Sequence, residues 1–305
     1  MLEGIIPLWK EKGMTSFGCV REIRHILGIK KIGHAGTLDP EVDGVLPIAV
    51  GRATKVLEFM LEDDKTYTGE VMLGFSTSTE DTTGEIIERL DVIEEIFEER
   101  VDEVLQSFVG TIEQTPPMYS AVKVQGKRLY EYAFEGIEIE RPSRKVEIYS
   151  IKRTSEVTAD LTEKTVQFSF EVSCSKGTYI RTLAVDIGKK LGYPAHMSQL
   201  TRSKSGLIEA EQTYTLAEIR ERMSISKIND VLLPIDYSLT QFPKKTISQE
   251  LWQKVKNGAL LDTEEMDALE YPVLLTYHDI IVALYDQHPT KTGKLKPRKM
   301  FKTEL

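Results

Sequence analysis

Strand-like stretches follow one another along this chain without a helix between every pair, and that order restricts the fold more than any other feature. "GIIPLWKEKGM" reads as a short strand and turn, and "GVLPIAVG" as a short buried run. "KTYTGEVMLG" alternates, with Tyr67, Gly69 and Val71 on one face and Thr66, Thr68 and Glu70 on the other. "MYSAVKVQG" and "TVQFSFEVSCS" read as further strands. Helical segments interleave with them. In "TSFGCVREIRHILG" the apolar positions Val20, Ile23, Ile26 and Leu27 follow helical spacing, Thr15 or Ser16 can cap, and Gly28 can stop the helix. "RATKVLEFML" reads as a second helix. Residues 92–108 read as a third, with Ile93, Ile96, Phe97, Val101, Val104, Leu105 and Phe108 on its inner side and its glutamates solvated. A fourth lies between Thr178 and Gly192, with the stripe Ile180, Leu183, Ala184, Ile187 and Leu191. A doubly wound parallel sheet needs a crossover between paired strands. Strands in succession without one predict an α+β fold, with a mixed, mostly antiparallel sheet flanked by helices. After about residue 239 the pattern changes to short strands and turns with a basic end, which predicts a small separate β-rich module.

Charge is unevenly spread. The net charge of −9 argues against a polyanionic partner until its location is considered: residues 62–115 hold 16 acidic and 3 basic side chains. The tail "KTGKLKPRKMFK", residues 291–302, has six basic residues and no acid. Other surfaces are therefore free to be basic. No apolar run approaches the roughly 18 residues of a membrane span, and "MLEGIIPLWKEKG" lacks the features of a signal peptide. Two cysteines, Cys19 and Cys174, are too few for a disulfide framework or a Cys-rich zinc site. A cytoplasmic protein with reduced thiols is expected.

The stretch "GHAGTLDPEVDG", Gly33 to Gly44, concentrates polar residues between glycines. Asp39, Glu41, Asp43 and Gly44 imitate the start of a calcium loop, but the position of its closing glutamate is Val50. His25, His34, His196, His278 and His288 show no paired metal-ligand spacing. Phosphate-loop, dinucleotide and G-x-S-x-G motifs are absent. What remains is a carboxylate on a tight loop, with Gly33 and Gly36 permitting close approach of a ligand and Pro40 stiffening the exit. Such an aspartate can act as a nucleophile without metal. The local sequence by itself favours an ordinary Asp-Pro turn.

Five segments bear on that choice together: "KGMTS" (12–16), "GHAGTLDPEVDGVLPIAVGRATK" (33–55), "KTYTGEVMLG" (65–74), "QTPPMYSAVKVQGKRLYEYAFEG" (114–136) and "CSKGTYIRTLAVDIGKKLG" (174–192). In this order they resemble the tRNA pseudouridine synthases of the bacterial B type, over most of residues 1–210. The resemblance implies a cofactor-free and metal-free isomerase that converts uridine-55 in the T-loop of tRNA to pseudouridine, acting on a flipped-out base. It implies that Asp39 is the catalytic aspartate and that Arg181 pairs with it. Tyr67 would pack on the flipped uracil as a candidate general base, and His34 would lie against the T-loop bases. Tyr179, Leu200 and Lys10 would contact substrate. It implies a pseudouridine synthase domain over 1–238, a PUA-like RNA-binding domain over 239–305 reaching the acceptor arm, and a monomer.

Two positions depart from the family pattern. Glu11 and Lys12 follow Lys10 where "KPxG" is common, and Thr201 gives "LTRS" in place of "LRRS". Lys123, Lys127, Arg128, Lys189, Lys190, Arg202 and Lys204 are expected phosphate partners, while Glu41 and Asp43 are expected to be bystanders. Two other readings share these features: an RNA-guided pseudouridine synthase, and a tRNA-folding chaperone in which catalysis is secondary.

Overall fold

The computed structural model describes residues 2–266 and 270–304. Strand β1 (Gly4–Lys10) leads into helix α1 (Ser16–Leu27), then β2 (Ile32–His34) and β3 (Asp43–Val50). After α2 (Leu57–Glu62) come β4 (Lys65–Leu73), β5 (Phe75–Thr77), β6 (Ile86–Arg89), α3 (Glu98–Gln106) and β7 (Gly110–Gln114). The short strands β8 (Lys123–Val124) and β9 (Lys127–Arg128) precede α4 (Leu129–Phe134) and β10 (Arg144–Arg153). Next are β11 (Thr158–Asp160), β12 (Thr165–Cys174), α5 (Ile180–Leu191), β13 (Ala195–Ser205), β14 (Ile208–Glu209) and α6 (Leu216–Ser224).

The large sheet runs β1-β3-β13-β4-β12-β10-β7, with β2, β14 and β11 added at its flanks. Every neighbouring pair along that path is antiparallel except β3 with β13, which is parallel. The fold is thus α+β with a mixed, mostly antiparallel sheet, as the order of strands predicts. β1 and β3 read as continuous apolar runs because both their faces are covered. Leu46, Ile48 and Val50 join the core beneath α1, α3, α5 and α6. Val45 and Ala49 point the other way, into a second cluster with Val56, Phe59, Leu274, Leu284 and Phe301.

α1 begins and ends where its capping residues predict. Thr15 Oγ1 accepts from the Gly18 N–H at 2.9 Å, a cap worth about 1 kcal/mol. Gly28, at φ +66°, donates its N–H to Arg24 O and turns the chain out of the helix. α5 buries Ile180, Leu183, Ala184 and Ile187 as its stripe predicts.

Three segments differ from expectation. The helix expected over 92–108 spans only Glu98–Gln106, leaving Ile93 80% and Phe97 60% exposed. The residues before it are drawn into other bonds: Leu90 N–H donates to Gly74 O and Val92 N–H to Lys164 O. "MYSAVKVQG" forms only half of a small hairpin, because Gln125 (φ +51°) and Gly126 (φ +86°) reverse the chain at once. "RATKVLEFML" divides into a 3₁₀ turn over Gly51–Val56 and α2.

A second sheet draws on β15 (Lys244–Thr246), β16 (Leu261–Asp262), β17 (Val273–Tyr277), β18 (Ile280–Gln287) and β19 (Lys294–Met300). A helix not expected there, Gln249–Val255, is capped by Ser248 and buries Trp252 and Val255. The basic tail is largely β19, and its charges are partly matched: Lys294 pairs with Asp262 and Lys299 with Glu58.

Candidate active site

The loop between β2 and β3 is held from below before any ligand arrives. Ser16, at the start of α1, accepts the Leu38 N–H at 2.9 Å and donates to Leu38 O at 3.2 Å. The Lys10 ammonium is buried and donates to Val42 O at 2.6 Å, Pro40 O at 3.0 Å and Glu11 O at 3.1 Å. Leu38 and Val42 are buried on either side. Asp39 is left between these anchors with its side chain 42% exposed at the cleft. Lys10 does not line that cleft. Its expected substrate contact is replaced by a role in holding the loop, because all its donors are directed at backbone carbonyls.

Arg181 closes the other side of Asp39. Its Nε lies 3.0 Å from Asp39 Oδ2. Nη1 donates to Thr79 O at 2.8 Å, and Nη2 to Tyr119 O at 2.9 Å. Asp81 Oδ2 is 3.8 Å from Nη1, so one guanidinium faces two carboxylates. Asp81 is itself fixed: its Oδ1 accepts from Thr79 Oγ1 and Thr83 Oγ1 at 2.6 Å each and from the Thr83 N–H at 2.9 Å. Burial pushes the Asp39 carboxyl above the ordinary carboxylate range. Arg181 opposes that shift, and Asp81 adds to it.

A cleft of ≈ 830 Å³ opens over this pair, room for a nucleotide and its neighbours. His34, Asp39, Tyr67, Tyr179, Arg181 and Leu200 all line it, so the structure brings together six of the seven expected residues. His34 Nδ1 donates to Gly36 O at 3.2 Å, since a carbonyl can only accept. Burial lowers the pKa of this ring, which keeps it neutral at neutral pH. Tyr67 is a neutral phenol whose pKa is raised by burial. Leu200 reaches over Gly69, where a Cβ would stand 2.9 Å from Phe170 Cζ and 3.4 Å from Leu200 Cδ1. Tyr179 caps α5, its backbone bracketed by buried Gln114, which donates to Tyr179 O at 3.1 Å and accepts its N–H at 3.0 Å.

The rim is basic and aromatic despite the negative net charge. Arg128, Arg144 and Lys176, the last of them paired with Glu62, line it with Phe17, Tyr119 and Tyr130. The Arg144 guanidinium stacks 4.7 Å above the Tyr179 ring. Other expected phosphate partners lie elsewhere. Lys190 is at the far end of α5, over the Phe108 ring at 4.0 Å. Lys204 pairs with Glu209 at 2.6 Å, and Lys127 with Glu135. Arg202 is in the cleft floor but buried. Asp43 is not a bystander, for it accepts from Thr201 Oγ1 at 2.5 Å and ties the loop to β13.

Sequence reasoning missed Asp81, Gln114, Ser16 and Lys65. Lys65, whose ammonium donates to Leu61 O at 3.1 Å and to Asp63 O, closes the C-terminal end of α2. Burial lowers its pKa to about 8. Asp81-Thr82-Thr83 carries an Asx-turn signature, but nothing local names Arg181 as its partner. Among the described residues no three His, Cys, Asp or Glu side chains gather as a metal-ligand set, and no helix is long and apolar enough to cross a membrane. Cys19 and Cys174 are both free and buried.

Comparison with known proteins places this geometry in a family. Residues 24–180 match the TruB family pseudouridylate synthase N-terminal domain, and residues 181–240 match the tRNA pseudouridylate synthase B C-terminal domain. The chain is 48% identical over 301 residues to tRNA pseudouridine synthase B of Halalkalibacterium halodurans, covering 98% of this chain and 97% of that one. It is 49% identical over 304 residues to tRNA pseudouridine synthase B of Bacillus subtilis, covering 98% of each. Among solved structures, a chain of a Cbf5-Nop10-Gar1 complex is similar with a TM-score of 0.75 and 28% identity, over 98% of this chain and 85% of that one. A cleft built on one loop aspartate clamped by one helix arginine, in a chain matched from end to end at this identity, has one family assignment: the protein belongs to the TruB family of pseudouridylate synthases.

Proposed function

We propose that this protein isomerises uridine-55 in the T-loop of tRNA to pseudouridine, with Asp39 as its catalytic carboxylate. The Asp39–Arg181 pair carries this reading, because it keeps an ionisable carboxylate at the mouth of a nucleotide-sized cleft beside a permanent cation. The reaction breaks the N1–C1′ bond, turns the uracil and joins C5 to C1′. The proton lost from C5 equals the one gained at N1, so the transformation is redox-neutral and nothing leaves. Attack of Asp39 on C1′, its addition to C6, and elimination across C1′–C2′ all begin with an ionised carboxylate next to Arg181.

The target base must leave its stack at a cost of a few kcal/mol. Tyr67 and Leu200 offer it an apolar slot, and the neutral His34 ring offers a surface to the bases left behind. Tyr67 is the candidate base for a substrate proton. Arg128, Arg144 and Lys176 meet phosphates at the rim, and Tyr179, held by Gln114 and Arg144, gives a stacking face. Residues 239–305, with the basic strand β19, serve as the RNA-binding module for the acceptor arm.

The test is chemical or mass-resolved mapping of pseudouridine in a tRNA, and in an isolated T-stem-loop, incubated with this chain alone. Formation at position 55, lost in Asp39→Asn, is expected. A guide-dependent synthase is the competing reading; a requirement for added guide RNA would replace ours with it. Full turnover by Asp39→Asn would remove the catalytic assignment, and RNA refolding that survives in that variant would reveal a separate chaperone function.

A further inference from the structure

One guanidinium is buried in the cleft floor with no carboxylate beside it among the described residues. Arg202, on β13, is 1% exposed. Its Nε donates to Val45 O at 2.7 Å, and its Nη2 is buried with no hydrogen-bond partner among the described residues. The polar neighbours on the same strand are satisfied, Thr201 by Asp43 and Lys204 by Glu209. A buried charge without a counter-ion is strongly unfavourable unless something in the working state compensates it.

Two glycines pack against this arginine, Gly44 at the start of β3 against its backbone and Gly36 in the Asp39 loop against its guanidinium. Gly44, at φ +122°, faces Arg202 across the parallel pair of β3 and β13, and a Cβ there would stand 2.3 Å from Arg202 O and 2.6 Å from its N. Gly36, at φ +96°, would place a Cβ 3.4 Å from Nη1. Gly36 therefore leaves room for the guanidinium behind the Asp39 loop, and Gly44 lets the β13 backbone come close beneath it.

The group that Arg202 faces is Tyr67. Register pairs Arg202 with Tyr67 and Leu200 with Gly69, so both β13 residues share the cleft face with the tyrosine. Arg202 from β13, Cys174 from β12 and Asp39 from the loop act on the phenol, while Lys65 and His34 line the same cleft. Burial, Cys174 and Asp39 all hold the proton on the oxygen, and Arg202 acts in the opposite sense.

We propose that Arg202 is a positioning residue of the isomerisation site, fixing the Tyr67 phenol and supplying the counter-charge that lets its oxygen take a substrate proton. This rests on the reading of Tyr67 as the base. In the step it serves, Tyr67 has released its own proton to water and is a phenolate facing Arg202. After C5 has bonded to C1′, the C5–H bond breaks and its electron pair restores the C5–C6 double bond. The proton moves to the Tyr67 oxygen, giving a neutral phenol, while the C6–N1 π pair shifts onto N1, which takes a proton from solvent and leaves the uracil ring uncharged. The Arg202 guanidinium thus has a counter-ion only while the base is ready.

The test combines titration with kinetics on the full chain. Tyrosine labelled at Cζ with carbon-13 reports each phenol, and Tyr67→Phe identifies the Tyr67 signal. In Arg202→Met the Tyr67 midpoint should rise by about one pH unit or more, with Arg202→Lys closer to the parent. Single-turnover isomerisation of a T-stem-loop should slow at least about tenfold in Arg202→Met, with partial recovery in Arg202→Lys and unchanged RNA affinity. In a Tyr67→Phe background the Arg202→Met change should cost little more. An unmoved Tyr67 titration, an equal rate loss in the Tyr67→Phe background, or a loss of RNA affinity with a shallower salt dependence would each overturn the proposal. Full activity of Tyr67→Phe removes the base assignment instead, and the titration then decides separately whether Arg202 controls the phenol. If Arg202→Met does not fold, Arg202→Lys and Arg202→Gln carry the same titration.

Discussion

Asp39 and Arg181 form an ion pair of 3.0 Å in which the two partners have unequal freedom. The guanidinium is 6% exposed and bonded to the Thr79 and Tyr119 carbonyls, whereas the carboxylate is 42% exposed. The cation is therefore a fixed reference, and the carboxylate is the member that can engage a ribose or a base. Preorganisation of this kind spares the reaction the cost of orienting charge at the moment of bond cleavage.

Asp39→Asn should abolish isomerisation without lowering the melting temperature at neutral pH. The folded-state pKa of Asp39 lies above its unfolded value, so the folded protein binds this proton more tightly. The stability from that proton is present at acid pH and is lost as pH rises through the folded pKa. An uncharged amide removes the penalty at neutral pH. Thermal unfolding at neutral pH and again below the carboxylate range should show the variant's advantage only in the former.

Asp81→Asn should slow catalysis while shifting its acid limb to lower pH. Asp81 helps to hold Arg181 and also raises the Asp39 pKa. Loss of its charge loosens the first effect and relieves the second. A fall of roughly ten- to a hundredfold in kcat with little change in tRNA affinity is expected. A pH–rate profile checks the direction, and an acid limb that moves upward would contradict it.

Lys10→Met tests whether this lysine holds the loop or the substrate. Removing the ammonium leaves the buried Val42 carbonyl without its donor, while Pro40 O keeps the Gly13 N–H, a loss of about 1–3 kcal/mol. Lower stability and a lower kcat with an unchanged KM are expected. A selective rise in KM would restore the substrate contact that the family resemblance suggested.

Gly44→Ala should be severely destabilising. Its φ of +122° and the 2.3 Å from an added Cβ to Arg202 O leave no room and no relaxed backbone conformation. A loss of at least about 2 kcal/mol in urea unfolding is expected.

Arg128→Ala should weaken tRNA binding without altering the chemical step at saturation. This exposed arginine lines the rim and stacks 5.7 Å from the Tyr130 ring centroid. The slope of log Kd against log salt should fall by about one phosphate contact. An unchanged slope would show that Arg128 meets solvent only.

The local signals were strongest where one element decides its own form. Thr15 and Gly28 mark the ends of α1, and the stripe from Ile180 to Ile187 marks the buried face of α5, because capping and period depend on a few adjacent residues. The stripe from Ile93 to Phe108 misled for the complementary reason. Its first turns would need a surface to cover them, and β6 and the Val92–Lys164 contact draw that chain away. Asp39 was visible only as an odd aspartate among glycines. Only the five matching segments, read together, make it a candidate catalytic residue, since no single loop encodes its partner.

The order of residues is enough to read most of the helices and strands, the α+β class, and the family resemblance that singles out Asp39, Tyr67 and Arg181. What each charge faces became visible in the folded chain alone. Lys10 turned from substrate to loop, Lys190 went to the far end of its helix, Asp81 joined Arg181, and Arg202 went under the loop to meet Tyr67. Period and capping are set by neighbours three or four positions away, whereas a buried charge is set by whatever the sheet brings opposite it. In this fold the parallel pairing of β3 with β13 makes that choice, by laying Gly44 against Arg202.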